Sequence, residues 1–416
     1  MRFEPKQCFG LLGESLPHSF SPLIHAELGS YEYSLFEKTP KELEDFLQHG
    51  DFDGLNVTIP YKKSVIPFCE KISDTARSIG SVNTIIRNPD GSLYGDNTDY
   101  YGFMYLLKKS GVNPAGEKVL VLGSGGSSLT VHAVLSDMKA GNIVVVSRKG
   151  PVDYDKLNEH SDAVLIVNTT PVGQYPANGQ SPLPDIGIFR QCRAVIDLVY
   201  NPARTELMLQ AEEYGIPAAG GLDMLAAQAK KSAEIFTNTS ISDDIIDTIL
   251  KKIKLHTYNI VLIGMPGCGK TSIGKALADV MEREFADTDI LISETAGKAV
   301  KDILTEDGEN TLRHLETEAL RKLCKENGLV IATGGGAVTQ PRNRHIIMQN
   351  GIVVFLDRDI DQLDLSERPL SQKNSITALA AKRLPIYSQW NDFTVQVCGI
   401  KETAVDVQKR LMEKFR

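Results

Sequence analysis

The stretch Asn259–Ala276, NIVLIGMPGCGKTSIGKA, constrains the possible folds of this chain more than any other part of the sequence. A short apolar run, Ile260–Ile263, leads into the pattern G-x-x-x-x-G-K-T, and a helix-forming segment follows. A glycine-rich turn before an unrelated helix is the plain alternative. The order of strand, glycine-rich loop, lysine, hydroxyl and helix is typical of a P-loop, whose main-chain N–H groups surround phosphate at a helix N-terminus. We therefore predict a domain that binds a nucleoside triphosphate.

Each part of this loop has an expected role. Lys270 should reach the β- and γ-phosphates, and the hydroxyl of Thr271 should bind Mg²⁺. Glycines let main-chain N–H groups point inward at an anion. The residues expected to surround the nucleotide are Gly264, Gly267, Cys268, Gly269, Lys270, Thr271 and Ser272.

Length and composition limit the rest of the chain. The 416 residues suit two or three domains, and because a P-loop normally follows the first strand of its domain, the residues before Asn259 must form something else. The net charge of −8 argues against a basic nucleic-acid-binding surface, and no apolar run is long enough for a membrane span. No signal peptide is apparent, and the six cysteines form no C-x-x-C pair. We expect a cytoplasmic protein with free thiols, and the oligomeric state stays open.

Polar residues in the first hundred positions follow short apolar runs, where strand ends place side chains in a cleft. The segment GESLPHSFSP carries Ser19 and Ser21, whose hydroxyls either bind a carboxylate or form ordinary turns and caps. Lys62 follows NVTIPY, and Asp99 ends GDNTD. These two could pair as a general acid and the carboxylate that orients it.

The segments PHSFSP, NVTIPYK, GSVNTI and GDNTD, in this order, resemble the motifs of shikimate dehydrogenase, and the resemblance covers about residues 7–254. It implies reduction of 3-dehydroshikimate with NADPH. It also implies that Ser19 and Ser21 bind the substrate carboxylate, and that Lys62, oriented by Asp99, gives or stabilises the proton. The residues that it places around the ring are Thr58, Asn83, Tyr200 and Gln228.

Lys118–Gly126, KVLVLGSGG, predicts the strand, glycine-rich turn and helix start of a dinucleotide-binding Rossmann unit. The next predicted strand, Asn142–Val146, is followed by two cations and lacks the acid that the ribose 2′-hydroxyl of NAD would require. This favours the 2′-phosphate of NADP, with a solvated basic turn as the alternative. The residues expected at the cofactor are Gly123, Ser124, Gly125, Gly126, Ser127, Ser147, Arg148 and Lys149.

Three further segments follow the P-loop. REFADTDILI places Asp287 and Asp289 at the end of a predicted strand, where they could serve Mg²⁺ and a substrate hydroxyl or form an acidic helix N-cap. Arg313 and Glu316 lie three apart on a predicted helix, a spacing equally typical of a surface ion pair. The predicted strand Leu329–Ala332 leads into TGGGAV, whose glycines expose main-chain N–H groups to an anion.

The motifs D-x-D, L-R-x-x-E, TGGGA, RPL and KRLPIY after this P-loop resemble those of shikimate kinase over about residues 259–416. This resemblance implies ATP and Mg²⁺ as cofactors. It implies that Asp287 helps to hold Mg²⁺, that Asp289 accepts the substrate hydroxyl and is the candidate base, and that Arg368 steadies the phosphoryl group. The residues that it places at the substrate carboxylate and ring are Arg313, Gly334, Gly335, Gly336 and Arg383.

One segment departs from this second family. The run DRDIDQLDLSE before Arg368 is shorter than most lids of the family, and Arg358 is its only basic residue. Because lids contact ATP and exclude water, we expect weakened ATP binding or slow transfer.

Together these patterns predict a bifunctional α/β protein of the shikimate pathway, which leads to chorismate and the aromatic amino acids. We expect a substrate-binding α/β domain at 1–101 and 222–254, a Rossmann NADP domain at 102–221, and a P-loop parallel-sheet domain of the nucleoside-monophosphate-kinase type at 259–416. The expected partners are small-molecule substrates, 3-dehydroshikimate and shikimate, with neither nucleic acid nor membrane. The alternatives are a quinate/shikimate dehydrogenase with relaxed cofactor choice and a degenerate, non-catalytic kinase half.

Overall fold

The computed structural model describes residues 7–16, 19–363 and 373–415. The chain divides into two compact units, of which the first comprises Met1–Gln174 and Gln180–Ile253 and the second comprises Tyr175–Gly179 and Lys254–Arg416. Among the described helices, none is long and apolar enough to cross a membrane.

The first unit contains a mixed sheet with strand order β2-β1-β3-β5-β6-β4. Its strands are β1 (Cys8–Gly13), β2 (Glu32–Glu37), β3 (Gly54–Val57), β4 (Lys71–Ile72), β5 (Thr84–Arg87) and β6 (Leu93–Asp96). Strand β5 runs antiparallel to both β3 and β6. The end of β3, the start of β5 and the end of β6 therefore lie at one edge of the sheet. This arrangement brings the segments that carry Thr58, Asn83 and Asp99 together.

The second sheet of this unit is parallel, with strand order β11-β10-β9-β7-β8. Its strands are β7 (Lys118–Leu122), β8 (Asn142–Val146), β9 (Leu165–Asn168), β10 (Ala194–Asp197) and β11 (Ala218–Gly220). Strands β9 and β10 are buried along their whole length, as expected for inner strands of a parallel sheet that is covered on both faces. Leu122 pairs with Val146, so Gly123 and Ser147 leave the sheet side by side.

The helices of the first unit pack around these sheets. They are α1 (Ser21–His25), α2 (Leu43–His49), α3 (Asp74–Ile79), α4 (Asp99–Ser110), α5 (Gly126–Asp137), α6 (Glu206–Glu213), α7 (Gly221–Thr237) and α8 (Asp244–Thr257). Helix α7 begins against the end of β10, because a Cβ atom at Gly221 would lie 2.1 Å from the main-chain oxygen of Leu198. Only glycine fits this contact, which positions the helix that carries Gln228.

The second unit is built on a parallel sheet with strand order β13-β14-β12-β15-β16. Its strands are β12 (Asn259–Ile263), β13 (Phe285–Asp287), β14 (Val330–Ala332), β15 (Gly351–Asp357) and β16 (Phe393–Gln396). The P-loop strand β12 is central and fully buried, which explains the apolar run Ile260–Ile263 after its first residue.

The helices of the second unit are α9 (Lys270–Met281), α10 (Thr288–Ala296), α11 (Val300–Asp302), α12 (Glu309–Leu323), α13 (Arg342–Met348), α14 (Lys373–Trp390) and α15 (Ile400–Lys414). The two aspartates of the D-x-D segment lie in different elements but line the same cavity. Asp287 ends β13, whereas Asp289 lies in the first turn of α10. The reason is local, because the Asp287 carboxylate accepts a hydrogen bond from the Asp289 N–H at 2.9 Å and thereby caps the helix.

Candidate active sites

A cavity of about 220 Å³ lies in the first unit, and it brings together residues from distant parts of the sequence. The predicted substrate and catalytic residues that line it are Ser19, Ser21, Thr58, Lys62, Asn83, Asp99, Tyr200 and Gln228. Ser127, from the first turn of α5, reaches the same cavity. Residues predicted to bind the cofactor and residues predicted to bind the substrate therefore line the same cavity.

Lys62 and Asp99 form the charged part of this cavity. The Lys62 ammonium donates a hydrogen bond to Asp99 Oδ2 at 2.5 Å, and the two side chains are 30% and 12% exposed. Asp99 is the first residue of α4, and its own N–H donates to Asn97 Oδ1 at 3.1 Å. The main chain of Asp99 is thus fixed at the start of the helix. The Lys62 ammonium has further N–H donors that a ligand in the cavity can use.

Asn83 is oriented by its neighbours. Its Oδ1 atom accepts hydrogen bonds from the Thr98 N–H at 2.7 Å and from the Thr84 hydroxyl at 3.0 Å. Its Nδ2 atom lies 3.5 Å from Gln228 Oε1. Because the amide oxygen is already used, Asn83 can offer N–H groups to a ligand hydroxyl.

His25 is a cavity residue that our sequence analysis missed. It is 1% exposed, its ring stacks on Tyr33 at 3.8 Å between centroids, and its Nδ1 lies 2.8 Å from the Tyr31 hydroxyl. Burial lowers the pKa of His25 to about 3, so the ring is neutral at physiological pH. Its position four residues after Ser21 on the same helix was the available signal, because side chains at i and i+4 share a face.

The predicted cofactor loop has the geometry of a phosphate cradle. Gly123 has φ +101°, and a Cβ there would lie 2.8 Å from Thr169 Oγ1. At Gly125 and Gly126, by contrast, a Cβ would meet no atom within 4 Å. This open space lies at the N-terminus of the 12-residue α5, where an anion is stabilised. Ser124 belongs to the same turn, and Ser147, Arg148 and Lys149 follow β8 at the adjacent strand end, with both cations exposed.

A second cavity, of about 550 Å³, lies in the second unit. The predicted residues that line it are Gly267, Gly269, Lys270, Thr271, Ser272, Asp287, Asp289 and Gly335. Lys270 Nζ donates to the main-chain oxygens of Gly264 and Met265 at 2.9 and 3.0 Å. The lysine is thus folded back onto the loop that it belongs to.

The Mg²⁺ position predicted from the sequence has a suitable pair of ligands. The Thr271 hydroxyl donates to Asp287 Oδ2 at 2.7 Å, so a hydroxyl and a carboxylate oxygen are adjacent. Within the described residues, no group of three acidic, histidine or cysteine side chains could hold a metal by itself. A bound Mg²⁺ would depend on nucleotide phosphates and water for its other ligands, as this ion usually does.

Arg313 belongs to a charge cluster in which Arg313 and Glu316 are buried and Glu309 is exposed. Its Nη1 donates to Glu316 Oε2 and its Nη2 to Glu309 Oε1, both at 2.7 Å. Arg313 is 9% and Glu316 is 2% exposed, which excludes the surface ion pair that the spacing also allowed. Burial raises the pKa of Glu316, the positive charge of Arg313 opposes this rise, and nearby Asp289 adds to it.

The glycine-rich loop after β14 lies directly against this cluster. A Cβ at Gly334 would come within 2.6 Å of Glu316 Oε1 and 2.9 Å of Asp289 Oδ1, and one at Gly336 would overlap the Arg313 guanidinium. The Tyr387 hydroxyl donates to the main-chain oxygen of Gly335 at 2.6 Å. The loop therefore has no room for side chains, and its backbone faces the charged groups.

Several predicted residues of this unit do not line the described cavity. Arg383 is 8% exposed and acts electrostatically on Glu309 and Glu316. Cys268 is completely buried, and its N–H donates within the loop to the Met265 oxygen at 3.2 Å. Arg368 lies outside the described residues. The other predicted positions away from the cavity wall are Gly264, Gly334, Gly336 and Arg313.

The structure adds residues to this cavity that the sequence analysis did not assign to the site, although it named Arg358 in the lid run. Arg358 comes from the end of β15, and the segment 397–400 follows the end of β16. Their position just past strand ends, at the carboxyl edge of a parallel sheet, was the signal that could have identified them. The remaining additions are Ile273 and Thr333.

Comparisons with known proteins identify relatives of both units. Residues 11–85 match the family described as the shikimate dehydrogenase substrate binding domain, and residues 266–413 match the family described as shikimate kinase. A shikimate dehydrogenase (NADP(+)) from Clostridium perfringens is 35% identical over 267 residues, which is 59% of this chain and 98% of the relative.

Solved structures resemble the first part of the chain. The chorismate mutase/shikimate 5-dehydrogenase fusion protein from Clostridium acetobutylicum has a TM-score of 0.57 at 36% identity, covering 60% of this chain and 98% of that one. The shikimate 5-dehydrogenase from Thermus thermophilus, solved in complex with NADP(H) and shikimate, has a TM-score of 0.54 at 29% identity and covers 59% and 99%.

The open space at Gly125 leads to a prediction. We expect Gly125→Ala to raise the KM for NADPH about tenfold or more, because the added methyl group enters the space through which a pyrophosphate approaches the loop. The free energy of unfolding should change by less than about 0.5 kcal/mol, since the methyl group meets no protein atom. Steady-state kinetics and chemical unfolding check both parts. An unchanged KM for NADPH would contradict the assignment of this loop.

The buried His25 leads to a second prediction, on stability. Its folded pKa of about 3 lies below the ordinary value of 6.5, so the unfolded chain binds a proton that the folded chain excludes. Stability from this group is complete above pH 6.5 and is lost as the pH falls towards 3. We expect a loss of about 2 kcal/mol between pH 7 and pH 5. His25→Gln should flatten this dependence in urea unfolding of the first unit, whereas a change at the exposed His49, His49→Gln, should leave it intact.

Proposed function

This chain is a bifunctional enzyme of the shikimate pathway, belonging to the shikimate dehydrogenase family in its N-terminal part and carrying a shikimate kinase domain after it, and on this premise we propose which residues perform each reaction. The observation that carries the proposal is the convergence of distant polar residues on one cavity in each unit. The first cavity serves reduction of 3-dehydroshikimate, and the second serves phosphorylation of shikimate at a ring hydroxyl.

In the first cavity, Lys62 acts as the general acid. NADPH supplies the hydride that the carbonyl carbon receives, and the carbonyl oxygen becomes an alcohol by taking a proton. Lys62 is close enough to the cavity to give that proton, and Asp99 holds its ammonium at 2.5 Å. Solvent can return the proton, because the Lys62 side chain is 30% exposed. Asp99 therefore positions the lysine and stabilises its charged form.

The rest of the first cavity supports a binding role by uncharged groups. Ser19 and Ser21 offer hydroxyls to the substrate carboxylate. The neutral ring of His25 lies beside them and contributes no charge. The groups that this proposal assigns to the ring hydroxyls and the reacting carbonyl are Thr58, Asn83, Tyr200 and Gln228.

In the second unit, positioning and charge account for the chemistry. ATP with Mg²⁺ supplies the transferable phosphoryl group. Lys270 would exchange its two carbonyl partners for phosphate oxygens, and Thr271 and Asp287 would hold Mg²⁺. Asp289 accepts a hydrogen bond from the substrate hydroxyl. Glu316 lies beside it, and burial together with the neighbouring Asp289 charge raises the pKa of Glu316, opposed by the positive charge of Arg313.

The substrate carboxylate of the second reaction is assigned to the arginine cluster. Arg313 and Arg383 are both buried, and the main-chain groups of Gly334–Gly336 lie against the cluster. Because guanidinium groups form paired hydrogen bonds with carboxylates, two of them give the ring acid a defined direction.

Domain organisation and compartment belong to the same proposal. The mixed sheet supports a substrate-binding domain at 1–101 and 222–254, the first parallel sheet supports an NADP domain at 102–221, and the second supports a kinase domain at 259–416. All six cysteines are unpaired, which supports a cytoplasmic location.

Product analysis tests the proposed function. We expect purified protein that is given 3-dehydroshikimate, NADPH, ATP and Mg²⁺ to produce a phosphorylated shikimate, identified by mass. Lys270→Ala should stop the sequence at shikimate. Lys62→Ala should lower kcat for NADPH oxidation by about 10²- to 10⁴-fold with little change in KM, as loss of a general acid does. The proposal fails if the protein neither oxidises NADPH with the keto acid nor consumes ATP with shikimate. Quinate and NAD, offered in parallel, test the relaxed-cofactor alternative.

The arginine cluster gives a separate prediction. We expect Arg383→Ala to raise the KM for shikimate about 10- to 100-fold, because a charge-assisted hydrogen bond contributes about 1.5–3 kcal/mol. The matched control is Arg321→Ala, which removes an exposed arginine paired with Glu318 at the end of α12. Kinase assays at saturating ATP measure both, with dehydrogenase activity as the internal standard. An Arg383→Ala variant with a normal KM would remove this residue from the carboxylate site.

A further inference from the structure

Arg358 is the one cavity residue of the second unit whose charge has no use in the reactions above. It directly follows Asp357, the last residue of β15, and lines the 550 Å³ cavity together with P-loop residues. Its Nε atom is buried and has no hydrogen-bond partner. Acidic residues flank it in the sequence, yet no ion pair to its guanidinium occurs among the residues that the structure describes.

The position of Arg358 follows from the sheet. Strand β15 pairs with β12 on one side and with β16 on the other. A Cβ at Gly264 would lie 2.6 Å from the main-chain oxygen of Leu356, so the end of β15 touches the start of the P-loop. Arg358 comes two residues later and lines the cavity together with the phosphate-binding loop and the segment 397–400.

An unpartnered buried guanidinium N–H is unusual, because burial removes water without supplying an acceptor. The cavity that Arg358 lines presents lysine, hydroxyl groups and a helix N-terminus, which attract anions, and also Asp287 and Asp289, the carboxylates assigned to Mg²⁺ and the substrate hydroxyl. Nε itself is covered by protein, so only the rest of the side chain can face a ligand. Because no described carboxylate pairs with the positive charge of Arg358, an anionic ligand is its best match. Guanidinium groups match phosphate oxygens with paired hydrogen bonds.

We propose that Arg358 binds the α- and β-phosphates of the nucleotide, and this inference rests on the kinase function proposed for the second unit. The substrate carboxylate is assigned to the buried Arg313 and Arg383 cluster, which does not line this cavity. Lys270 accounts for the β- and γ-phosphates. The end of a strand is a rigid platform, so Arg358 presents its charge without help from the segment that follows it.

Nucleotide titration tests the assignment on the full-length protein. The variants are Arg358→Gln, which removes the charge, and Arg358→Lys, which keeps the charge but lacks the guanidinium fork. The matched control is Arg342→Gln, a change at an exposed arginine of α13 that does not line the cavity. Calorimetry measures the Kd for ADP, which keeps both phosphates in question, and the Kd for shikimate.

We expect Arg358→Gln to weaken ADP binding about 10- to 100-fold and to leave shikimate affinity unchanged. Arg358→Lys should fall between this variant and the wild type, and Arg342→Gln should bind ADP normally. Equal ADP affinities for Arg358→Gln and Arg342→Gln would overturn the assignment, as would a loss of shikimate affinity alone. A wild-type protein that binds no ADP would overturn the kinase proposal and this inference together.

The chain provides its own control for folding. Its single tryptophan, Trp390, lies in the second unit and is 6% exposed, so its emission reports on that unit only. Wild-type emission in Arg358→Gln shows that a loss of ADP binding is local. If the emission of Arg358→Gln shifts towards the unfolded spectrum, the ADP affinity of Arg358→Lys tests the assignment instead. This variant retains the charge and most of the side-chain volume. A folded Arg358→Lys with unchanged ADP affinity would overturn the requirement for a guanidinium.

Discussion

Parallel pairing of strands places the carboxyl ends of neighbouring strands at the same edge of a sheet, and most of the chemistry in this protein lies at such edges. In the second unit, β12 leads to the P-loop, β13 to Asp287, β14 to the glycine-rich loop and β15 to Arg358. In the mixed sheet of the first unit, polar residues are brought together by a different strand arrangement. There the antiparallel β5 enters at the edge where β3 and β6 end, so Asn83 lies beside residues that follow the other two strands.

The two units differ in the charged groups that we assign to binding a small ring acid. In the first unit, the hydroxyls of Ser19 and Ser21 and the neutral His25 share the cavity with one ion pair, which Lys62 forms with Asp99. The lysine charge can then be directed to the reacting carbonyl. In the second unit, phosphoryl transfer adds negative charge to an already anionic site. The positive charge of buried arginines can offset this negative charge. Before any ligand binds, Glu309 and Glu316 balance the positive charge of Arg313.

Most of the cations assigned to the two reactions have hydrogen-bond partners within the protein. Lys62 is bound by Asp99, Lys270 by two carbonyl oxygens, and Arg313 by two glutamates. A ligand must therefore exchange with existing hydrogen bonds, which limits the net gain from each contact and favours ligands with the right geometry. Arg358 forms no ion pair among the residues that the structure describes, so an anion that reaches the exposed part of its side chain displaces no carboxylate.

The sequence by itself determined the local features: the P-loop between a buried strand and a helix, the second glycine-rich loop at β7, and the order of short motifs that identified both families. These depend on backbone conformation and on neighbours in the chain, so spacing is sufficient to find them. It also indicated Lys62 with Asp99, because both follow predicted strand ends. Tertiary structure alone decided whether Arg313 and Glu316 were a surface pair or a buried one, because burial depends on the loop after β14 and on Arg383. It likewise placed His25 in the wall of the first cavity and Arg358 in the wall of the second, because each cavity is lined by segments that are distant in the sequence.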